Sequence, residues 1–244
     1  MNLTVEEFLA QYGDFNRLWD TITLVNVIDN QVTTYVNDEK LSSFTFEWHE
    51  GEFKIHGTCT YYNPNGMSTA HYKYGKLHHE DGPAYTKLYS NGAPLYESYY
   101  IDGKLHSDVG PAHTMYYCTG QLCKQEYYQH DKQHRVGEPA AYSWYATGQL
   151  CSEIWWSNNK IHREDGPAEI SWHENGQLRS EYYYAYDKKH REDGPALVRW
   201  SDDGELTEEK WFSNDVEIEP IVHPEDEKAE AEDESPELEA PSHW

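Results

Sequence analysis

HREDGPAEISWHENGQLRSEYYYAYDKKHREDGPA, residues 162–196, holds one full unit of sequence and the start of its own copy. His162 returns as His190, Pro167 as Pro195 and Ala168 as Ala196, each 28 residues later. The same step backward reaches His134, His106 and His78, and Ala140, Ala112 and Ala84. A fixed period of this size marks a repeat array, in which each unit buries its apolar side only against its neighbours.

Positions are counted from the Ala of each Gly-Pro-Ala as zero. Position 8 is then Gly92, Gly120, Gly148, Gly176 and Gly204, preceded by Asn91, Thr119, Thr147, Asn175 and Asp203. Asn-Gly and Asp-Gly between alternating runs signal a two-residue hairpin turn with positive φ at both central residues. Such a turn sets 4 against 11, 2 against 13 and 0 against 15, so that 0, 2, 4, 11, 13 and 15 share one face. That face repeats from unit to unit and reads as structural. The opposite face is uneven, with Tyr89, Tyr117 and Tyr145 at position 5 and Tyr96, Ile154 and Tyr182 nearby.

The expected fold is therefore mainly β: a single antiparallel sheet of hairpin repeats over 57–218, about six hairpins and roughly 55 Å long. An earlier, shorter unit is centred on Asn65-Gly66. Residues 1–56 read as an N-terminal cap that covers the first sheet edge. A short helix opens it over 1–20, with Thr4 and Glu7 as a capping box. Two hairpins follow, Thr21–Ile28 with Gln31–Val36, and Ser43–Trp48 with Glu52–His56. Residues 219–244, with ten acidic residues and one Lys, read as a disordered acidic tail.

Thirty-six aromatic residues supply the apolar surface in a chain of mean hydropathy −0.94. The formal net charge of −25 argues against binding nucleic-acid phosphates or anionic membranes directly, since both need Lys and Arg. No apolar run reaches membrane-span length and no signal segment is apparent, which points to a cytoplasmic protein, in the host cytoplasm if the source is viral.

NGQLRSEYYY (Asn175–Tyr184) and TGQLCSEIWW (Thr147–Trp156) join a G-x-L turn to a Glu and paired aromatics, followed by a G-K-x-H-like turn. This combination resembles MORN-type repeats, over about two thirds of the chain. The nearest likeness is to the long variant found in a bacterial antitoxin family and in phage and giant-virus proteins. The resemblance implies a scaffold or binding surface and names no reaction. The period is longer than usual, and the basic residues linked with lipid binding in some relatives are largely missing, so lipid binding is not implied.

Each repeated polar column has a structural explanation. Equivalent atoms of His78, His106, His134, His162 and His190 lie roughly 9–10 Å apart, whereas zinc donors sit about 3–4 Å from one another. The column reads as turn histidines that bond backbone or stack on rings, with no metal and no cofactor. Glu97, Glu153, Glu181 and Glu209 recur at position 13, with Gln125 in one unit. Gln cannot replace a catalytic base, so these read as hydrogen-bond acceptors for turn N–H groups or the next Arg. Cys123 and Cys151 are equivalent positions about 10 Å apart, too far to bridge. Cys118 and Cys123 flank one turn, where a strained bridge is conceivable, but reduced thiols suit the expected compartment.

The functional expectation is a non-enzymatic protein that binds a protein partner of basic surface through its acidic, Tyr-rich sheet. An antitoxin-like or phage counter-defence inhibitor is the specific form that the resemblance suggests. The alternatives are a DNA mimic that blocks a nucleic-acid-binding protein, and a structural scaffold.

Overall fold

A computed structural model of the chain describes residues 2–3, 6–7, 10, 24–28, 31–36, 39–63 and 66–220. The expected acidic tail lies outside these residues apart from Glu219 and Pro220, as does almost all of the expected opening helix. Within 1–20, Asn2–Leu3 form a strand paired with Leu24–Ile28. What is described is mainly β, with one long antiparallel sheet of hairpins and four short two-stranded ladders beside it.

The first hairpins form where the alternation placed them. Leu24–Ile28 pairs with Gln31–Val36, which pairs with Glu39–His49. Glu39–His49 turns over Glu50-Gly51 into Glu52–Ile55 and also pairs with Gly57–Asn63, so the sheet continues unbroken into the repeats. Val27, Val32, Phe44, Phe46, Cys59 and Ala70 cluster here as the main buried apolar core.

In the unit beginning at Ala112, His113–Tyr116 pairs with Leu122–Glu126, which pairs in turn with Ala141–Trp144 of the next unit. Positions 2 and 13 oppose each other as the sequence predicts: Thr114 with Gln125, Tyr142 with Glu153, Ile170 with Glu181. Position 4 does not meet position 11. Tyr116 faces Leu122, Trp144 faces Leu150 and Trp172 faces Leu178, with a bulge absorbing the extra residue. Position 11 is therefore the extra, unpaired residue of the bulge.

The bulge follows from the turn, which is also not the expected one. Gly148 N–H donates to the Tyr145 carbonyl, and Tyr145 N–H to the Gln149 carbonyl. The turn thus spans four residues, 5 to 8, and only the glycine takes positive φ, at 90° for Gly148. Thr147 could not comfortably do so, because a β-branched side chain clashes in the left-handed region. A four-residue turn closed by a left-handed glycine carries a bulge with it.

The two-residue turn sits later in the unit. Positions 16 and 17 pair with 20 and 21 in a short second hairpin, as in Trp156–Ser157 with Lys160–Ile161. Its two turn residues both have positive φ: Asn158 and Asn159 at 51° and 65°, Asn214 and Asp215 at 52° and 69°. Asp and Asn tolerate that region better than most side chains. Each unit is therefore two hairpins, followed by the His-Arg-Glu-Asp-Gly-Pro loop.

Neighbouring units are tied by side chains as well as by strands. The position-19 side chain accepts the position-21 N–H of the preceding unit: Asp131 from Leu105 at 2.8 Å, Asn159 from Gln133 at 2.7 Å, Asp187 from Ile161 at 2.7 Å. The Ala at position zero is fully buried in all five units. Beside it, in the last three loops, an Arg stacks on the position-15 ring: Arg135 3.9 Å from Tyr127, Arg163 4.1 Å from Trp155 and Arg191 4.1 Å from Tyr183. Arg163 also donates to Asp165 and to the Pro167 carbonyl, which fixes the loop.

Candidate partner-binding trough

With the register known, positions 1, 3, 12 and 14 share the face opposite the Ala and Glu columns. Positions 16 and 21 of the short hairpins stand beside it. Together they line a cleft of about 530 Å³ near the first end, where Leu77, Tyr100 and Leu105 come from short hairpins and Tyr85, Tyr96 and His113 from the main sheet. The same positions recur in every unit, so the face that holds this cleft, the trough face, continues along the array.

Its lining changes along its length. Tyr85, Tyr96, Tyr100, His113 and Met115 make the first part aromatic. The middle floor is small, with Ala141 beside Ile154, and Ser143 hydrogen-bonded to Ser152 at 2.6 Å. Trp156 stands next to it at position 16, its indole N–H buried without a partner. At the far end Tyr182 accepts from the Arg199 guanidinium at 3.1 and 2.5 Å, and Arg199 pairs with Glu208 at 2.6 Å.

The sequence candidates divide here. Tyr96, Ile154 and Tyr182 do line the trough face and are half-buried. Tyr89, Tyr117 and Tyr145 are not independent of the structural columns. Their hydroxyls donate to the position-4 carbonyl of the next unit: Tyr89 to Tyr116 at 2.9 Å, Tyr117 to Trp144 at 2.7 Å, Tyr145 to Trp172 at 2.9 Å. His173 donates to Trp200 in the same way at 3.0 Å. Ser201, in the last unit among the described residues, bonds within its own turn to Asp203 and Glu205.

Sequence reasoning missed Tyr85, Tyr100, His113, Met115 and Trp156. The pairing of 2 with 13 already implied that 1 faces 14 and 3 faces 12, and that listing would have found the main-sheet members. It also missed the charge distribution. Five bases occupy trough positions, Lys87, Lys124, Lys189, Arg199 and Lys210, against four acids, Glu126, Glu169, Glu208 and Glu217. Lys124 sits 2.8 Å from Glu126, and Lys210 3.4 Å from Glu208. The trough itself is thus not acidic. The excess carboxylates stand on the loops and turns, where Glu164, Asp165, Glu192 and Asp193 are more than four-fifths exposed.

The remaining columns are tied into the array. The His106 ring stacks on His130 of the next unit at 4.2 Å and His162 on Tyr186 at 3.8 Å, while His78 accepts the Asp102 N–H through Nδ1. His134 and His190 donate their backbone N–H to the position-15 carbonyls of Tyr127 and Tyr183. Gly92, Gly120, Gly176 and Gly204 close the same turn as Gly148. Glu97 accepts from the Tyr116 hydroxyl at 3.2 Å. Burial holds Glu153 and Glu181 above the usual carboxylate range, partly offset by Arg163 and Arg191. All four cysteines are free thiols, and burial pushes Cys59 up to about 11.

Residues 168–186 match the family model of the MORN repeat variant. That span is one turn, one long hairpin and the start of the short one. No curated protein matches the chain. No helix among the described residues is long and apolar enough to cross a membrane.

Proposed function

The chain is a MORN-like repeat protein, and from that premise we propose that it is a non-catalytic binding module whose trough takes up a protein partner. One observation carries the reading: the two faces of the same sheet are specified differently. One face repeats the buried Ala in every unit, the Glu in four of five and the Arg-on-ring contact in the last three loops. The other changes from aromatic to small to charged while staying half exposed, as a surface shaped for a particular occupant does. Acidic loops and turns around a near-neutral trough suit a partner that is apolar where it meets the trough and basic at its margins. An antitoxin-like or counter-defence inhibitor is the specific form we propose.

A DNA mimic is the second reading, supported by the exposed loop carboxylates that recur once per unit. The two are separated by identifying the partner captured by the full chain, then measuring its affinity for two variants. Ile154→Arg changes the trough floor; the combined Glu164→Gln, Asp165→Asn, Glu192→Gln, Asp193→Asn variant changes the loops. Trough binding predicts a loss of about thirtyfold or more for the first, as hot-spot residues show, and a shallow salt dependence. A steep salt slope with loss confined to the loop variant makes the protein a mimic. Full affinity in both variants overturns both readings.

A further inference from the structure

The aromatic end of the trough differs in kind from the rest. Tyr85 and Tyr96 stack with ring centroids 5.5 Å apart, and His113 tilts against Tyr96 at 5.6 Å. Tyr100 and Met115 complete a concave, mostly apolar cup of about 530 Å³. That is within the range of built binding sites and larger than any one side chain needs.

We propose that this cup receives an aromatic side chain of the protein partner and is the anchor point of the complex. The inference rests on the trough reading above and adds the chemistry of its occupant. Charge decides against the obvious rival, a Lys or Arg from a basic partner. The carboxylate of the cup, Glu126, already has its counter-charge in Lys124 at 2.8 Å. His113 hydrogen-bonds Ser98 at 2.7 Å, and burial holds its ring below the usual imidazole range, so it is neutral at pH 7. Burial, then the hydrogen bond to Tyr85, pushes the Tyr96 phenol up to about 12, and burial raises Tyr100 as well. Lys87, the cross-strand partner of Tyr96, shares the face without lining the cup and would repel a cation. An entering charge would lose its water and gain no counter-ion. An aromatic ring loses little and meets ring faces and edges at stacking distance.

The test uses the full chain and three small probes, N-acetyl-tryptophanamide, N-acetyl-leucinamide and N-acetyl-argininamide, titrated by NMR with the tyrosine rings observed. The tryptophan amide should bind saturably in the millimolar range and shift the rings of Tyr85, Tyr96 and Tyr100. Tyr96→Ala should weaken it about tenfold, the scale of one lost ring pair. Tyr96→Leu, which keeps apolar bulk for folding, should weaken it by less, and Lys160→Ala, on an exposed short hairpin away from the cup, should leave it unchanged. Argininamide or leucinamide binding as well as the tryptophan amide, or no saturable binding of any probe, overturns the proposal. Partner affinity keeps the two ideas apart: loss in Ile154→Arg with a silent cup sinks the cup alone, and loss in neither Ile154→Arg nor Tyr96→Ala sinks the trough.

Discussion

Tyr117 shows how one hydroxyl can hide a structural role. Its ring looks like a surface aromatic in an uneven column, yet its O–H donates to the Trp144 carbonyl 27 residues on. Tyr117→Phe should cost about 1 kcal/mol of stability, the net worth of a typical internal hydrogen bond. Tyr117→His should recover part of that, because His173 makes the equivalent bond naturally. Chemical denaturation midpoints check both; an unchanged Tyr117→Phe would return the ring to the free surface. The column was partly legible. Tyr, Tyr, Tyr and His all end in a donor, and Ser appears where residues 219–244 supply no further unit. What sequence could not give is the direction of the side chain, because that depends on which turn closes the hairpin.

At the level of the hairpin, the turn is the decision from which register, bulge and trough follow. Asn91-Gly92 suggested a two-residue turn, but the Thr in the same column at 119 and 147 is a poor fit to positive φ. The Thr was the stronger signal, because its cost is steric, whereas Asn fits several turn types. Gly148→Val should cost about 1–2 kcal/mol from the left-handed backbone alone, since open space surrounds the site. Thr147→Gly should bring no gain, because residue 147 is not left-handed. Stabilisation by Thr147→Gly, read from melting temperature, would restore the two-residue turn. The short hairpin was legible in Asp102-Gly103, Asn158-Asn159 and Asn214-Asp215, each two steps of 28 after the last. The His-Arg-Glu-Asp-Gly-Pro loop beside it masks the signal, because its Gly-Pro is itself a strong turn marker.

Across the whole molecule, a single sheet leaves many carboxylates half covered. Glu153, Glu169 and Glu181 are all raised by burial, with Arg163, Lys189 and Arg191 offsetting part of it. A raised carboxylate favours the protonated form in the folded chain. Its contribution to stability is therefore full below the ordinary value of 4.5 and is lost as pH rises through the higher folded value. Glu153→Gln and Glu181→Gln should accordingly melt higher than wild type at neutral pH, with the gap closing on acidification. The gap is the quantity to measure, because His71 and His113, lowered by burial, lose stability in the opposite sense below 6.5. A gap that widens toward acid would mean that the Arg partners dominate. The array has one further consequence, for mechanics. Rungs such as Asn159 on Gln133 join neighbours only, and the strands lie across the long axis. Load applied between the ends therefore meets one interface at a time, like a zipper rather than a rope. Each interface that yields frees 28 residues, roughly 95 Å of slack. The protein would pay out length in even steps while the units still closed kept their share of the trough.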